Sequence, residues 1–170
     1  QIVVATTQNH EDDLIEQVAS HNSVKVFRGS TNDKISRWIG AAKIADSEIL
    51  ICCDGDDPLV DIDIGNKCGD LLKENNACIV EAQNLPCGSF TYALKRSSLE
   101  RIHKKFDTSE SEMMWAFFEK DPSTIMLKHD FKCFNSRTSA DRIRITVDYQ
   151  EDLNMIRKVV KILEDRNLEG

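Results

Sequence analysis

Residues 49–59 read Ile-Leu-Ile-Cys-Cys-Asp-Gly-Asp-Asp-Pro-Leu, an apolar run that stops at a turn crowded with carboxylates. The near-continuous apolar stretch from Glu48 to Cys53 predicts a strand covered on both faces, as in a parallel sheet. Asp, Gly and Pro are turn residues, so the strand is expected to end where they begin. In open α/β sheets, ligands bind beyond the carboxyl ends of the strands. The stretch therefore predicts an α/β fold with a functional site at residues 54–57.

Strand and helix patterns alternate on both sides of this stretch. Apolar, β-branched runs predict further strands at 1–6, 24–27, 77–83 and 143–147. Apolar residues at helical spacing predict helices at 11–21, 34–45, 63–75, 97–105, 109–119 and 151–165. Such alternation implies right-handed crossovers and a layered, mostly parallel sheet.

Length and charge limit the classes of protein to consider. At 170 residues, the chain suits one domain spanning 1–170, and because Gln1 opens directly on a strand we expect it to be truncated at its N-terminus. The net charge of -7 argues against binding to nucleic acid or to an anionic membrane. Neither a membrane-spanning run nor a signal peptide is recognisable, and the six cysteines form no C-x-x-C pair. We therefore expect a cytoplasmic protein with reduced thiols and no membrane insertion.

The acidic turn is the first candidate site. Asp54, Asp56 and Asp57 lie within four consecutive residues, and like charges so close persist most readily where a divalent cation compensates them. An ordinary acidic β-turn or helix N-cap is the alternative interpretation.

A second predicted strand also ends on an aspartate. Residues 144–153 read Arg-Ile-Thr-Val-Asp-Tyr-Gln-Glu-Asp-Leu, which places Asp148 at the strand tip before a helix begins. Glu151 and Asp152 are explained as acids that complement the helix dipole. Asp148 is the stronger candidate for a site, because it lies at the tip itself.

Four segments together resemble one family. They are 3–7 (Val-Val-Ala-Thr-Thr), 26–30 (Val-Phe-Arg-Gly-Ser), 55–59 (Gly-Asp-Asp-Pro-Leu) and 146–153 (Thr-Val-Asp-Tyr-Gln-Glu-Asp-Leu). Their order and approximate spacing resemble those of the sugar cytidylyltransferases, especially the spore-coat polysaccharide branch, which is related to CMP-sialic acid and CMP-KDO synthetases. The resemblance covers nearly the whole chain.

The resemblance implies a nucleotide-diphospho-sugar transferase-like (Rossmann-like) fold and an enzyme that joins CMP from CTP to a sugar of an acidic or surface-polysaccharide kind, with release of pyrophosphate. It implies Mg²⁺ as cofactor, and it places the two metal-binding, catalytic carboxylates on Asp56 and Asp148. Asp54 and Asp57 become candidate substrate-binding residues, and a homodimer is expected.

Arg28 and Arg37 also match family positions, so they are candidate substrate-binding residues. The alternative for Arg37 is an i,i+4 pair with Asp33 at a helix start. Two departures from the family are notable. Its first strand and phosphate-binding signature loop would precede Gln1, and residues 108–118 lack the histidine of the spore-coat branch.

Two other functions remain open from the sequence. Asp54-Gly55-Asp56 is a D-x-D motif, which a metal-dependent glycosyltransferase would use to hold a nucleotide-sugar. Asp148 discriminates between the two enzymes, because the D-x-D scheme does not require it. The third hypothesis is a non-catalytic domain that kept the fold and lost the phosphate loop.

Overall fold

The computed structural model describes residues 1–89, 92–131 and 143–166. Its strands are β1 (Val3–Thr7), β2 (Lys25–Gly29), β3 (Ile49–Cys52), β4 (Ile79–Gln83), β5 (Tyr92–Lys95) and β6 (Met126–Asp130). Its α-helices are α1 (Asp13–His21), α2 (Lys34–Ile44), α3 (Ile62–Glu74), α4 (Arg96–Lys105), α5 (Trp115–Lys120) and α6 (Gln150–Asp165). The predicted alternation of strands with helices is confirmed from β1 through β4, after which β5 follows β4 with no helix between them.

The strands form two sheets. In the first, β1 and β2 pair in parallel, with Val3 opposite Lys25 and Thr7 opposite Gly29. The second has the order β3-β5-β4-β6. A crossover helix separates β1 from β2, as parallel neighbours require.

Strand β5 runs against its neighbours. Its end donates from Lys95 N–H to Cys78 O (3.0 Å), and Arg96 N–H donates to Glu48 O (2.9 Å), so this end lies beside the residues that precede β4 and β3. Strand β6 is parallel to β4, because Cys78 N–H bonds Ile125 O at one end (2.8 Å) and Phe131 N–H bonds Gln83 O at the other (3.4 Å). The mostly parallel arrangement therefore contains one antiparallel strand.

The chain divides into two compact units. The first comprises residues 1–50, 76–79 and 94–126. Its fully buried side chains include Ile35 of α2 and Leu99 of α4. A Cβ on Gly40 would lie 2.1 Å from the ring of Phe27, so glycine at this position lets β2 approach α2 closely. Such contacts are sensitive to a single added methyl group.

The second unit comprises residues 51–75, 80–93 and 127–170. Helix α3 begins after Asp61, whose carboxylate accepts the N–H of Ile64 (2.9 Å), and it buries Cys68 and Leu72 completely. Helix α6 buries Ile156. Charged residues occupy many of its exposed positions, as expected for an amphipathic helix.

Three expectations about elements are corrected. The predicted strand at 143–147 is a single parallel bridge between Arg144 and Cys87. The predicted helix at 109–119 begins only at Trp115, because the segment before it uses Ser111 to bond the N–H of Ile35 (3.1 Å). Strand β3 is less buried than its composition predicts, with Ile51 exposed.

Thiols and hydropathy give two further observations. Cys53, Cys68, Cys78 and Cys87 are free thiols and Cys52 is buried, whereas Cys133 lies outside the described residues. No helix within 1–89, 92–131 and 143–166 combines the length and apolar character needed to cross a bilayer.

Candidate functional site

The acidic turn directly follows β3. Asp57 N–H donates to Asp54 O (3.1 Å), which closes the four-residue turn predicted from the Asp-Gly-Asp-Asp sequence. At its centre, the backbone carbonyl of Asp56 accepts a hydrogen bond from Val147 N–H (2.8 Å). The turn and the segment before α6, both in the second unit, are thus joined through the main chain.

The segment at residues 143–148 is held from two sides. Cys87 N–H donates to Ile143 O (3.2 Å), and Ile145 N–H donates to Cys87 O (2.8 Å). Val147 then bonds Asp56. Since Asp148 is the next residue, its backbone lies close to that of Asp56.

Gly88 packs under this segment. It has φ +95°, and a Cβ there would lie 2.7 Å from Thr146 N and 2.9 Å from the carbonyl carbon of Ile145. The same Cβ would lie 3.1 Å from Asp57 Oδ1. Both the backbone conformation and the lack of space require glycine. Sequence reasoning missed this residue, although Pro86-Cys87-Gly88 is a recognisable turn signal.

Electrostatics show that the carboxylates share one environment. Burial raises the pKa of Asp57, and the negative charges of Asp56, Asp54 and Asp148 raise it further, against the lowering effect of a hydrogen bond with Thr146. Such mutual repulsion is relieved by a cation. Asp54, Asp56, Asp57 and Asp148 therefore belong to one acidic site.

Asp148 and Asp152 have different surroundings. The guanidinium of Arg144 bonds both, at 2.9 Å to Asp152. Asp152 also accepts the N–H groups of Asp148 (3.0 Å) and Tyr149 (2.9 Å), and these bonds, led by that of Tyr149, lower its pKa. Asp152 is thus the helix-start carboxylate predicted from the sequence. Asp148, 49% exposed, presents its carboxylate to solvent.

The two arginine candidates lie in the first unit. Arg28 donates to Thr7 O (2.8 Å), Asn9 O (2.6 Å), Asp13 (2.6 Å) and Glu16 (2.9 Å), and the bonds to Asp13 and Glu16 raise its pKa. Arg37 Nη1 donates to Ser30 O (2.6 Å) and Thr31 O (2.7 Å). These contacts give both arginines a structural role, and the pairing considered for Arg37 with Asp33 is replaced by the two carbonyl bonds.

Tyr92 is a further residue that the sequence did not single out. Burial raises the pKa of its hydroxyl to about 12, and the charges of Glu81 and Asp54 contribute. The hydroxyl therefore stays protonated at neutral pH.

The residues of the acidic turn suit Mg²⁺. This ion prefers oxygen ligands and is commonly held by one or two carboxylates while it keeps several waters. No group of three or more His, Cys, Asp or Glu side chains is arranged to hold a metal within the part of the chain that the structure describes. Mg²⁺ would therefore be held by the carboxylates of Asp56 and Asp148, with water or substrate oxygens as its other ligands.

Sequence comparison identifies the family. Residues 1–168 match the family described as Cytidylyltransferase. The chain belongs to the cytidylyltransferase family. Membership supports nucleotidyl transfer as the class of chemistry, and it confirms the family predicted from the four segments.

Two related sequences extend this finding. An uncharacterized protein of Methanocaldococcus jannaschii is 27% identical over 94% of this chain and 65% of its own length. The spore coat polysaccharide biosynthesis protein SpsF of Bacillus subtilis is 23% identical over 97% of this chain and 69% of its own length. The chain thus spans about two thirds of these relatives.

Solved structures of similar fold agree. A cytidylyltransferase from Leptospira borgpetersenii has a TM-score of 0.79 and 24% identity, covering 97% of this chain and 76% of its own. Molybdopterin-guanine dinucleotide biosynthesis protein A from Archaeoglobus fulgidus has a TM-score of 0.61 and 8% identity, covering 88% and 75%. The predicted nucleotidyltransferase-like α/β fold is confirmed.

Proposed function

We propose that the protein transfers a cytidylyl group from CTP to a sugar for surface-polysaccharide synthesis, and that it releases pyrophosphate. Mg²⁺ is the cofactor, held by Asp56 and Asp148. The family match and the printed role of the SpsF relative support this assignment. A cytoplasmic homodimer is part of the same proposal.

One observation carries the proposal: the bond from Val147 N–H to Asp56 O, 2.8 Å long. It joins the two segments whose aspartates the resemblance assigns to the metal. A glycosyltransferase of the D-x-D type needs only Asp54 and Asp56, so nothing in that scheme requires the segment of Asp148 to be fixed at the turn. The bond therefore favours the two-carboxylate site.

The chain's own residues prepare this site. Asp57 is half-buried, and Asp56 and Asp148 are the exposed carboxylates of the site. Gly88 supports the segment that presents Asp148. A bound Mg²⁺ would neutralise phosphate charge while the sugar hydroxyl attacks the α-phosphorus. Positioning and electrostatic stabilisation are the main contributions expected of the protein in phosphoryl transfer.

The test is pyrophosphate release from CTP by the whole protein, measured with Mg²⁺ and a panel of acidic and neutral sugars. Asp56→Asn and Asp148→Asn should each lower kcat/KM by more than about 100-fold, since even outer-shell partners of a metal contribute 10- to 100-fold. Asp63→Asn is the matched control, because Asp63 is an exposed acid in the first turn of α3. It should keep wild-type turnover.

The same assay separates the alternatives. Hydrolysis of a nucleotide-sugar that survives Asp148→Asn and requires Asp54 and Asp56 would support the glycosyltransferase. A whole protein that neither turns over nor binds CTP with Mg²⁺ would support the non-catalytic domain. Full pyrophosphate release by either aspartate variant would remove that residue from the metal site.

A further inference from the structure

We propose that Arg144 is a phosphate-binding residue, held by Asp148 and Asp152 in the structure and turned toward the nucleotide's phosphates when Asp148 takes the cation. This inference rests on the proposed function, and it adds a residue that the motif comparison did not assign a role.

The two ion pairs of Arg144, with Asp148 and with Asp152, are unequal. Arg144 Nη1 bonds Asp152, a carboxylate that is 18% exposed and also accepts two backbone N–H groups. Arg144 Nη2 bonds Asp148, which is 49% exposed. Asp152 is therefore the fixed anchor of the guanidinium. Asp148 is the partner that can be exchanged, because exposed ion pairs contribute little and solvent competes for them.

Arg144 and Mg²⁺ would compete for the carboxylate of Asp148. An oxygen that accepts from Arg144 has less negative charge to offer a divalent cation. Mg²⁺ carries twice the charge of a guanidinium and binds carboxylate oxygen directly. When the cation occupies Asp148, it repels the guanidinium and frees the Nη2 end of Arg144.

The bond to Asp152 limits where the Nη2 end of Arg144 can turn. The side chain of Arg144 is 40% exposed, and its bond to Asp152 keeps the guanidinium at the N-terminal end of α6, next to Asp148. A planar guanidinium presents five N–H donors and pairs well with phosphate oxygens. A phosphate bound to the cation at Asp148 therefore lies next to a positioned donor. Arg144 would bind that phosphate through Nη2 while its Nη1 stays bonded to Asp152.

The test measures binding of Mg²⁺ alone, and then of pyrophosphate at saturating Mg²⁺, by calorimetry on the whole protein. Arg144→Gln should bind Mg²⁺ more tightly, because the competitor for Asp148 is gone. It should bind pyrophosphate at least about tenfold more weakly, as expected for losing a charged hydrogen bond. Arg157→Gln is the control: it removes the same charge from an exposed position on α6 and should change neither affinity.

Arg144→Lys keeps a charge beside Asp148 and loses the planar fork, so it serves if Arg144→Gln does not fold. We expect it to bind pyrophosphate more weakly than wild type. Wild-type pyrophosphate affinity in Arg144→Lys and in any folded Arg144→Gln would overturn the role of Arg144 and leave the proposed function standing. Wild-type protein that binds neither CTP nor pyrophosphate with Mg²⁺ would contradict both.

Discussion

Asp121 shows how the first unit accommodates a buried charge. Its carboxylate is fully buried and accepts hydrogen bonds from Lys105 (2.8 Å), Arg101 (2.9 Å) and Ser123 (2.9 Å). These donors, led by Lys105, hold its pKa well below the usual range. A carboxylate with a lowered pKa stabilises the folded state at neutral pH.

Asp121→Asn should therefore lower the melting temperature at pH 7. Because the folded-state pKa is depressed, this stabilisation is present above the unfolded value of 3.8 and is lost as the pH falls toward the folded value. The difference between variant and wild type should shrink in thermal melts below pH 4. Glu119→Gln, at an exposed position two residues earlier, should melt like wild type. A deficit independent of pH would contradict the electrostatic explanation.

The pKa of Asp57 is raised, whereas that of Asp121 is lowered, so substituting Asp57 should change the melting temperature in the opposite direction. Its raised pKa means that ionisation is opposed in the folded state, and stability is lost as the pH rises from 3.8 through the folded value. Asp57→Asn should raise the melting temperature at pH 7 and change it little near pH 3.5, since the amide oxygen can still accept from Thr146. Equal melting of variant and wild type at pH 7 would show that neither burial nor the neighbouring carboxylates oppose ionisation of Asp57.

Individual residues differ in how well the sequence predicts them. Asp148 could be located because a strand pattern, an aspartate and a helix start follow one another in the chain. The contacts of Arg28 could not, because its partners Asp13 and Glu16 lie on another element, α1. Spacing along the chain carries no information about such pairs.

The packing of Gly88 under the segment that carries Asp148 can be tested directly. Gly88→Ala forces a side chain onto φ +95° and against the backbone of Thr146, which should cost about 1–3 kcal/mol of stability. It should also weaken Mg²⁺ binding, because the displaced segment carries Asp148. Calorimetry and chemical denaturation measure the two effects.

Gly55→Ala is the matched control. Gly55 lies in the acidic turn, yet a Cβ there meets nothing within 4 Å. Its stability should stay within about 0.5 kcal/mol of wild type, as for ordinary surface changes. Similar losses in both variants would mean that the close approach at Gly88 is not what holds the segment.

The elements missed from the sequence have a common cause. Strand β5 offers only Tyr-Ala-Leu before Lys95, and β6 turns polar at Lys128, so neither shows an apolar run longer than three residues. The segment 143–147 alternates β-branched and polar residues as a strand does, yet it is only a bridge, because its partners are the loop at Cys87 and the turn at Asp56. Hydrophobic pattern reports burial, and it does not report which backbone is available for pairing.

The net charge of -7 argues against nucleic acid as a partner of this protein. Binding to nucleic-acid backbone depends on Lys and Arg that neutralise phosphates, and here acids outnumber them. Anisotropy of labelled single-stranded and duplex oligonucleotides at 50 mM salt should show no binding tighter than about 100 µM. Saturable binding below that concentration would contradict the prediction.

The main-chain bond between Val147 and Asp56 also bears on when the site forms. The ribosome releases the acidic turn long before Asp148, and closing so long a loop costs entropy that local contacts do not repay. A nascent chain therefore carries the turn without its partner carboxylate. Docking of the Asp148 segment onto the acidic turn is therefore expected late in synthesis, after Asp148 has left the ribosome.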